Sequence, residues 1–175
     1  MLTEMGSGKG GHVFICALEN DADLELDYMS RDAEHLVLAP IGYDDASGAR
    51  YSAFTAFSPT GGGLVEHVFA IHKITGSPAG DVIETLWNGL ETKALIPTPR
   101  HRSLILATFC ASAALILERH KPTFVVHATH DAHLPDSALD KHWHIMGVFE
   151  DAGYEVRTPD EYNGRRLWHA TLRSF

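Results

Sequence analysis

Short runs of apolar, β-branched and aromatic residues, separated by turn residues, dominate the first half of the chain. Residues 13–18 and 35–39 form two short runs, and residues 51–57 and 64–74 form two longer ones. The segment between the longer runs, residues 58–63, holds one proline and three glycines, which is typical of a hairpin connection. We therefore predict that this half of the chain folds mainly as an antiparallel meander.

After residue 80 the apolar positions take on a helical period. They recur at i, i+3, i+4 and i+7, which lie on one face of a helix. These positions are Ile83, Leu86, Trp87 and Leu90. Asp81, followed three residues later by Glu84, resembles a capping box, in which side chains satisfy the free N–H groups at a helix start. The pattern predicts a first helix over residues 81–93.

Two further helices are predicted in the second half of the chain. Thr98 and Pro99 fit the N-cap and first position of a long helix, because the N–H that proline lacks would be unpaired there in any case. We expect this helix to end near Arg119. A third helix is predicted from about residue 136, and Gly153 is well placed to end it in the left-handed conformation.

Three β-branched segments complete the predicted elements. Residues 123–127, 154–158 and 166–172 read as strands, and the last two are joined by a turn at Asn163-Gly164. The apolar faces of helices and strands predict a core that includes Trp87, Phe109, Leu117, Val125, Trp143, Met146 and Phe149. Together the elements predict an α+β fold with a mixed central sheet flanked by about three helices.

Composition limits the size and the partners of this fold. A chain of 175 residues with 45% apolar residues fits a single domain over residues 1–175, with residues 1–11 as a flexible arm. The formal charge of −9 argues against binding to nucleic acid or to anionic membranes. The sequence shows neither a secretion signal nor an unbroken apolar run of about 18 residues, so we expect a cytoplasmic protein. It leaves both a monomer and a homo-oligomer open.

The order of elements from about residue 64 to residue 172 resembles the GNAT-type (N-acetyltransferase-like) fold. It runs from strands through a long helix, a strand and a helix to two final strands. Two local motifs carry the same resemblance. Residues 100–105 read Arg-His-Arg-Ser-Leu-Ile at the start of the long helix, and Gly153-Tyr154 follows the third helix.

The resemblance implies an acyl-CoA donor and an amine acceptor. In GNAT enzymes an Arg/Gln-x-x-Gly-x-Gly/Ala loop binds the pyrophosphate of acyl-CoA at a helix start, where free N–H groups and the helix dipole favour anions. The implied binding residues for acetyl-CoA or another acyl-CoA are Arg100, His101, Arg102, Ser103 and Leu104. The implied acceptor is a small-molecule or protein amine.

Both motifs depart from the GNAT pattern. Ser103 and Ile105 replace the small residues that let a pyrophosphate approach the backbone, and the β-branched Ile105 is the larger change. Phe149 stands where many GNAT enzymes have a tyrosine that protonates the departing thiolate. Both departures point to altered or lost acetyl-CoA chemistry.

A cluster of histidines follows the strand predicted over residues 123–127. His127, His130 and His133 lie close in sequence to Asp131. In the GNAT comparison this strand end borders the cleft where substrate and cofactor meet, which makes His127 and Asp131 candidates for a general base. The spacing matches no known zinc motif, so we expect no bound metal. The simpler alternative is a polar loop with one partly buried histidine.

Three functional hypotheses remain open on the sequence alone. The first is a divergent GNAT-like acyltransferase, either active or degenerate. The second is a non-catalytic binding or regulatory (immunity-type) module on the same scaffold. The third is a histidine metal hydrolase built on the cluster around His130.

Overall fold

A computed structural model describes residues 13–19, 24–87, 89–158 and 161–174 of the chain. The predicted flexible arm over residues 1–11 lies outside these ranges. The described residues form one mixed sheet of nine strands with three α-helices, which confirms the predicted α+β class.

The strands are numbered in chain order. They are β1 (Phe14–Cys16), β2 (Asp27–Arg31), β3 (Glu34–Asp44), β4 (Arg50–Gly61), β5 (Leu64–Ser77), β6 (Gly80–Leu86), β7 (Phe124–Ala128), β8 (Tyr154–Arg157) and β9 (Leu167–Leu172). The sheet order is β1-β3-β4-β5-β7-β9-β8, with β2 paired to β3 and β6 paired to β5. The strands from β1 to β6 pair antiparallel, as the predicted meander requires, and β5 pairs parallel with β7.

The helices are α1 (Gly89–Leu95), α2 (Pro99–Arg119) and α3 (Asp140–Asp151), with short 3-10 turns at Ala17–Glu19 and Asp136–Ala138. Pro99 is the first residue of α2, as predicted. Gly153 follows α3 with φ of 94°, a conformation that costs a glycine little because it has no Cβ. The turn at Asn163-Gly164 also forms, with φ of 52° and 75°.

The helix predicted over residues 81–93 is wrong. Residues 81–86 belong to β6, which pairs antiparallel with the end of β5, and only residues 89–93 are helical, as the first part of α1. The two residues read as a capping box instead make ion pairs to β4 and β5: Asp81 lies 2.7 Å from Arg50, and Glu84 lies 3.3 Å from Lys73. Pairing with an available strand edge outweighs a helical period in so short a segment.

Helix α2 forms the centre of the core. It is long and apolar enough to cross a membrane by length and composition alone, but it packs on β3, β4 and α3 and buries seven of its residues. Thr108 and Ser112, which interrupt its apolar sequence, donate their hydroxyl protons to backbone carbonyls four residues earlier at 3.0 and 2.9 Å. These bonds let both hydroxyls be buried, as in the core helix of a globular protein.

Five of the seven predicted core residues are buried, and two are not. Trp87 follows β6, lies outside any helix and is 39% exposed. Trp143 is 50% exposed. The buried stripe of α3 consists of His142, Ile145, Met146 and Phe149. A polar residue, His142, therefore takes the core position, and Trp143 lies one step around the helix, towards solvent.

One edge of β5 is shared by two strands, which opens the sheet between them. Val65–His67 pair with β7, and residues from Ile71 onward pair with β6. On this edge residues 68–70 pair with neither strand. The sheet therefore separates where β7 ends.

Candidate functional site

A cavity of about 370 Å³ lies where β5 and β7 separate. Its charged and imidazole side chains are Glu66, His127, His130, Asp131, Lys141, His142 and Arg165. Trp87, from the segment between β6 and α1, lies at its rim and stacks on His130 with ring centroids 5.4 Å apart. The cavity thus combines two carboxylates, two cations and three imidazoles within a space that suits a small polar ligand.

The two residues proposed from sequence as general bases, His127 and Asp131, both line this cavity. His127 lies near the end of β7, and Asp131 follows in the loop. Thr129 holds that loop: its backbone N–H donates to the carbonyl of Arg166 at 2.9 Å, and its hydroxyl donates to the carbonyl of Asp131 at 2.8 Å. Arg165 donates from Nε to the carbonyl of Thr129 at 2.5 Å, which fixes the opposite wall.

Three buried histidines form a continuous chain beside the cavity. His67 on β5, His127 on β7 and His142 on α3 are each less than 5% exposed. The Nε2 of His127 lies 2.8 Å from Nδ1 of His142. The Nδ1 of His127 lies 3.0 Å from the carbonyl oxygen of His67 and 3.2 Å from its Nδ1. The chain joins two strands and a helix at the point where the sheet opens.

Burial keeps this chain neutral. Desolvation is the largest cause of the lowered pKa of all three rings, because the charged form of imidazole loses its hydration. The pKa of His127 falls from 6.5 to about 4, and that of His142 to about 2, where His127 and Lys141 also oppose the charge. The pKa of His67 falls well below 6.5, with His127 and His142 adding to the effect. All three rings are therefore uncharged at neutral pH.

Lys141 contributes a positive charge to the cavity, and its pKa depends on its surroundings. Its ammonium lies 5.8 Å from the centroid of the Phe69 ring. Burial lowers its pKa, and the carboxylate of Asp131 partly opposes that shift. The carboxylate of Asp131 is therefore close enough to act on the pKa of Lys141 across the cavity, as charged groups in reaction sites do.

The acyl-CoA residues inferred from the resemblance lie within the first turns of α2. Because α2 begins at Pro99, the stretch from Arg100 to Ile105 is helix and not a loop before it. From the second turn onward helical N–H groups pair with carbonyls four residues earlier. The N–H of Arg102 already contacts the carbonyl of Thr98, at 3.3 Å. Thr98 makes no side-chain cap, so the unpaired donors are those of the first turn.

The side chains of this stretch point in several directions. Arg102 donates to the carbonyls of Ile96 and Pro97 at 2.9 and 2.5 Å. Ser103 donates to the carbonyl of Pro99 at 3.2 Å. His101 lies 2.8 Å from the carboxylate of Glu19, Leu104 packs against the core, and Ile105 is buried in it. Arg100 is exposed. Of the five proposed residues, Arg100 therefore offers the freest side chain for an anion.

None of these five residues is among those that line the cavity. The chain nevertheless links the two places: it passes the cavity at Trp87 and Gly89, continues through α1 and reaches Thr98, where α2 begins. The structure thus places both His127 and Asp131 at the cavity. The start of α2 comes later along the chain, after α1.

Phe149 lies away from the cavity. Its ring is fully buried between Phe57, stacked at 5.7 Å, and Tyr154, edge-on at 5.8 Å. A tyrosine hydroxyl at this position would enter the apolar core. The comparison of Phe149 with a catalytic tyrosine is therefore not supported by its surroundings.

The other histidines in and after this cluster lie in different environments. His130 is exposed and stacks on Trp87, and His133 is exposed with φ of 55°. His144 is exposed and contacts the carbonyl of Asp140, so it does not join His142 in one site. Among the residues that the structure describes, no three His, Cys, Asp or Glu side chains are arranged to hold a metal ion.

Sequence reasoning missed most of the cavity. Glu66 and Lys141 come from elements distant in sequence from His127, and Arg165 follows the last turn. His67, which contacts His127 beside the cavity, comes from β5. One signal was available for His67: it alternates with Phe69 and Ile71 on β5, and this places a polar ring on the buried face.

A second cavity of about 580 Å³ lies between α3 and the start of β9. Its lining includes Asp140, Trp143, Glu161 and Trp168, and none of its lining residues is a histidine. It contains neither residue proposed as a base.

No family model, curated protein or solved structure matches this chain. The functional argument therefore rests on the geometry of the cavity between β5 and β7.

Proposed function

We propose that the protein is a divergent GNAT-like acyltransferase that moves an acyl group from an acyl-CoA to an amine in the cavity between β5 and β7. The observation that carries the proposal is that both proposed bases, His127 and Asp131, line that cavity. The order of elements from β5 to β9 supports the resemblance. The proposal includes a cytoplasmic location.

The cavity holds the groups that acyl transfer to an amine requires. The amine nitrogen attacks the thioester carbon, the carbon–sulfur bond breaks, and the sulfur leaves as a thiolate that takes up a proton. A base must accept the proton that the amine loses. Asp131 fits this role best, because the Nε2 of His127 is already occupied by His142. Lys141 and Arg165 supply positive charge against the oxyanion that forms on the thioester oxygen.

The start of α2 supports binding of the donor's pyrophosphate. Its first-turn N–H groups are not capped by Thr98, and Arg100 adds an exposed positive charge. An acyl-CoA is long enough for its pyrophosphate and its thioester to occupy separate places. In this arrangement the pyrophosphate binds at Arg100 and the thioester reaches the cavity past Trp87.

Calorimetric titration of the purified protein with acetyl-CoA and with CoA tests the proposal. We expect both to bind, and we expect Arg100→Glu to weaken binding by roughly three- to tenfold at low salt, because the variant reverses a charge beside the helix terminus. Lys121→Glu is the matched control, since it makes the same charge change just beyond the other end of α2. Wild-type protein that binds neither compound contradicts the proposal, as do equal losses in both variants.

A non-catalytic binding module is the second candidate, and one observation favours it. Arg102, Ser103 and His101 are all engaged within the protein, which leaves little of the implied acyl-CoA site free. A protein that uses the same cavity for a regulatory or immunity-type ligand would have no need of that site. Absence of acyl-CoA binding, together with one stably co-purifying protein partner, would favour this function.

A further inference from the structure

We propose that the buried chain His67–His127–His142 fixes His142 with an unprotonated Nε2, which accepts a hydrogen bond from the amine bound in the cavity. This inference rests on the proposed function for the identity of the ligand. The arrangement of the chain itself is independent of that function.

A single backbone carbonyl sets the protonation of all three rings. A carbonyl oxygen only accepts hydrogen bonds, so the Nδ1 of His127 at 3.0 Å from the carbonyl of His67 carries a hydrogen. A neutral imidazole has one N–H, so the Nε2 of His127 is an acceptor. The Nδ1 of His142, 2.8 Å from that Nε2, must then be the donor. The Nε2 of His142 is left without a hydrogen.

The other end of the chain follows from the same proton. The Nδ1 of His67 lies 3.2 Å from the protonated Nδ1 of His127 and accepts from it. The hydrogen of His67 is therefore on Nε2. That nitrogen is buried and has no hydrogen-bond partner among the described residues. Leaving a buried donor unpaired has a free-energy cost. Here the unpaired N–H of His67 belongs to the same set of tautomers that fixes the three rings next to the cavity.

His142 is the member of the chain with a free acceptor at the cavity. Both His127 and His142 line the cavity, but both ring nitrogens of His127 are engaged. The ring of His142 is held flat against Trp168, with an interplanar angle of 10° and centroids 5.2 Å apart. A ring fixed by stacking on one side and by a hydrogen bond at Nδ1 presents its remaining nitrogen in one direction.

The three histidines therefore have different roles. His142 contacts the ligand as a hydrogen-bond acceptor, and its low pKa keeps the nitrogen unprotonated across the neutral range. His127 and His67 are positioning residues, which set the tautomer of His142 without contacting the ligand. The ligand class that this nitrogen selects is one with an N–H or O–H donor, as in the amine acceptor.

Nitrogen NMR of protein labelled with ¹⁵N at histidine tests the chain directly, because protonated and unprotonated ring nitrogens resonate in separate regions. At neutral pH we expect the Nδ1–H tautomer for His127 and His142 and the Nε2–H tautomer for His67. In His127→Leu the partner of His142 is lost, and the Nε2–H tautomer of His142 should appear. His130→Gln, at the cavity rim but outside the chain, should leave all three tautomers unchanged. An Nε2–H tautomer or a charged ring for His142 in the wild type would overturn the inference.

The acceptor role is tested on the same samples with methylammonium as the probe. Its N–H groups should move the Nε2 resonance of His142, while tetramethylammonium at equal concentration, which has the same charge and no N–H, should not. An unmoved His142 resonance with methylammonium, or equal movement with both cations, contradicts the acceptor role. Neither experiment uses acyl-CoA. A failure of acyl-CoA binding would therefore count against the proposed acyltransferase and leave the histidine chain to be decided by these spectra.

Discussion

The protein should lose most of its stability between pH 6.5 and pH 4. His67, His127 and His142 all have a pKa in the folded state below their ordinary value of 6.5, because burial disfavours the charged ring. The unfolded chain therefore takes up protons first as the pH falls. The stability contributed by the neutral rings is complete above pH 6.5, and it decreases as the pH falls towards the folded-state pKa, which is about 4 for His127.

The expected loss is comparable with the whole stability of a domain. A histidine that is neutral in the folded protein and charged in the unfolded chain lowers the free energy of unfolding by about 1.4 kcal/mol per pH unit below pH 6.5. For His127 this amounts to about 3 kcal/mol at pH 4. Three such residues approach the roughly 5–15 kcal/mol that separates folded from unfolded domains. Chemical denaturation at several pH values should show about three protons taken up on unfolding near pH 5.

Two variants separate this effect from general acid sensitivity. His142→Gln should reduce the proton uptake by about one, because the variant removes one buried imidazole. His144→Gln, two residues along the same helix and exposed, should leave the uptake unchanged. A free energy of unfolding that stays constant from pH 7 to pH 5 would show that the three rings are not buried together.

Truncation of Phe149 to alanine should cost about 3–5 kcal/mol. The Phe149 ring is fully buried and contacts Phe57, Tyr154 and His67, whose ring lies edge-on at 5.4 Å. Its removal leaves a cavity at the contact between α3 and the sheet. In a chain of this size the loss should lower Tm by roughly 10 °C, measured by thermal unfolding.

Trp143→Ala is the matched control for this truncation. It removes a larger aromatic side chain from the same helix, but Trp143 is 50% exposed, so the loss of stability should be clearly smaller. Equal losses in the two variants, or an unchanged Tm in Phe149→Ala, would contradict the observed face of α3.

Local signals predicted those elements whose ends are fixed by local chemistry. Pro99 at the start of α2 and Gly153 after α3 were read correctly, because proline and glycine restrict or permit the backbone at their own positions. The segment that forms β6 was not predicted correctly, because its conformation depends on a free edge of β5. Trp143 was misplaced because an imidazole, that of His142, occupies the buried stripe.

The candidate site was predictable only where its residues lie close together in the sequence. His127 and Asp131 stand out as a dense local cluster at a strand end. The partners of His127 in the histidine chain are 60 and 15 residues away, and only the folded sheet and α3 bring them together. A single histidine within an apolar strand or helix gives no local indication of which other histidine it will contact.

We propose that the acyl group is transferred in the cavity between β5 and β7. Amide shift mapping tests it most directly, with ¹⁵N-labelled protein titrated with acetyl-CoA. The account predicts that the largest shifts fall on the cavity wall, at Val68, Gly89, Ala128 and Asp131, with a second group at Arg100 and His101. Shifts confined to the other cavity around Trp143 and Trp168, or no shifts at saturating acetyl-CoA, would contradict it.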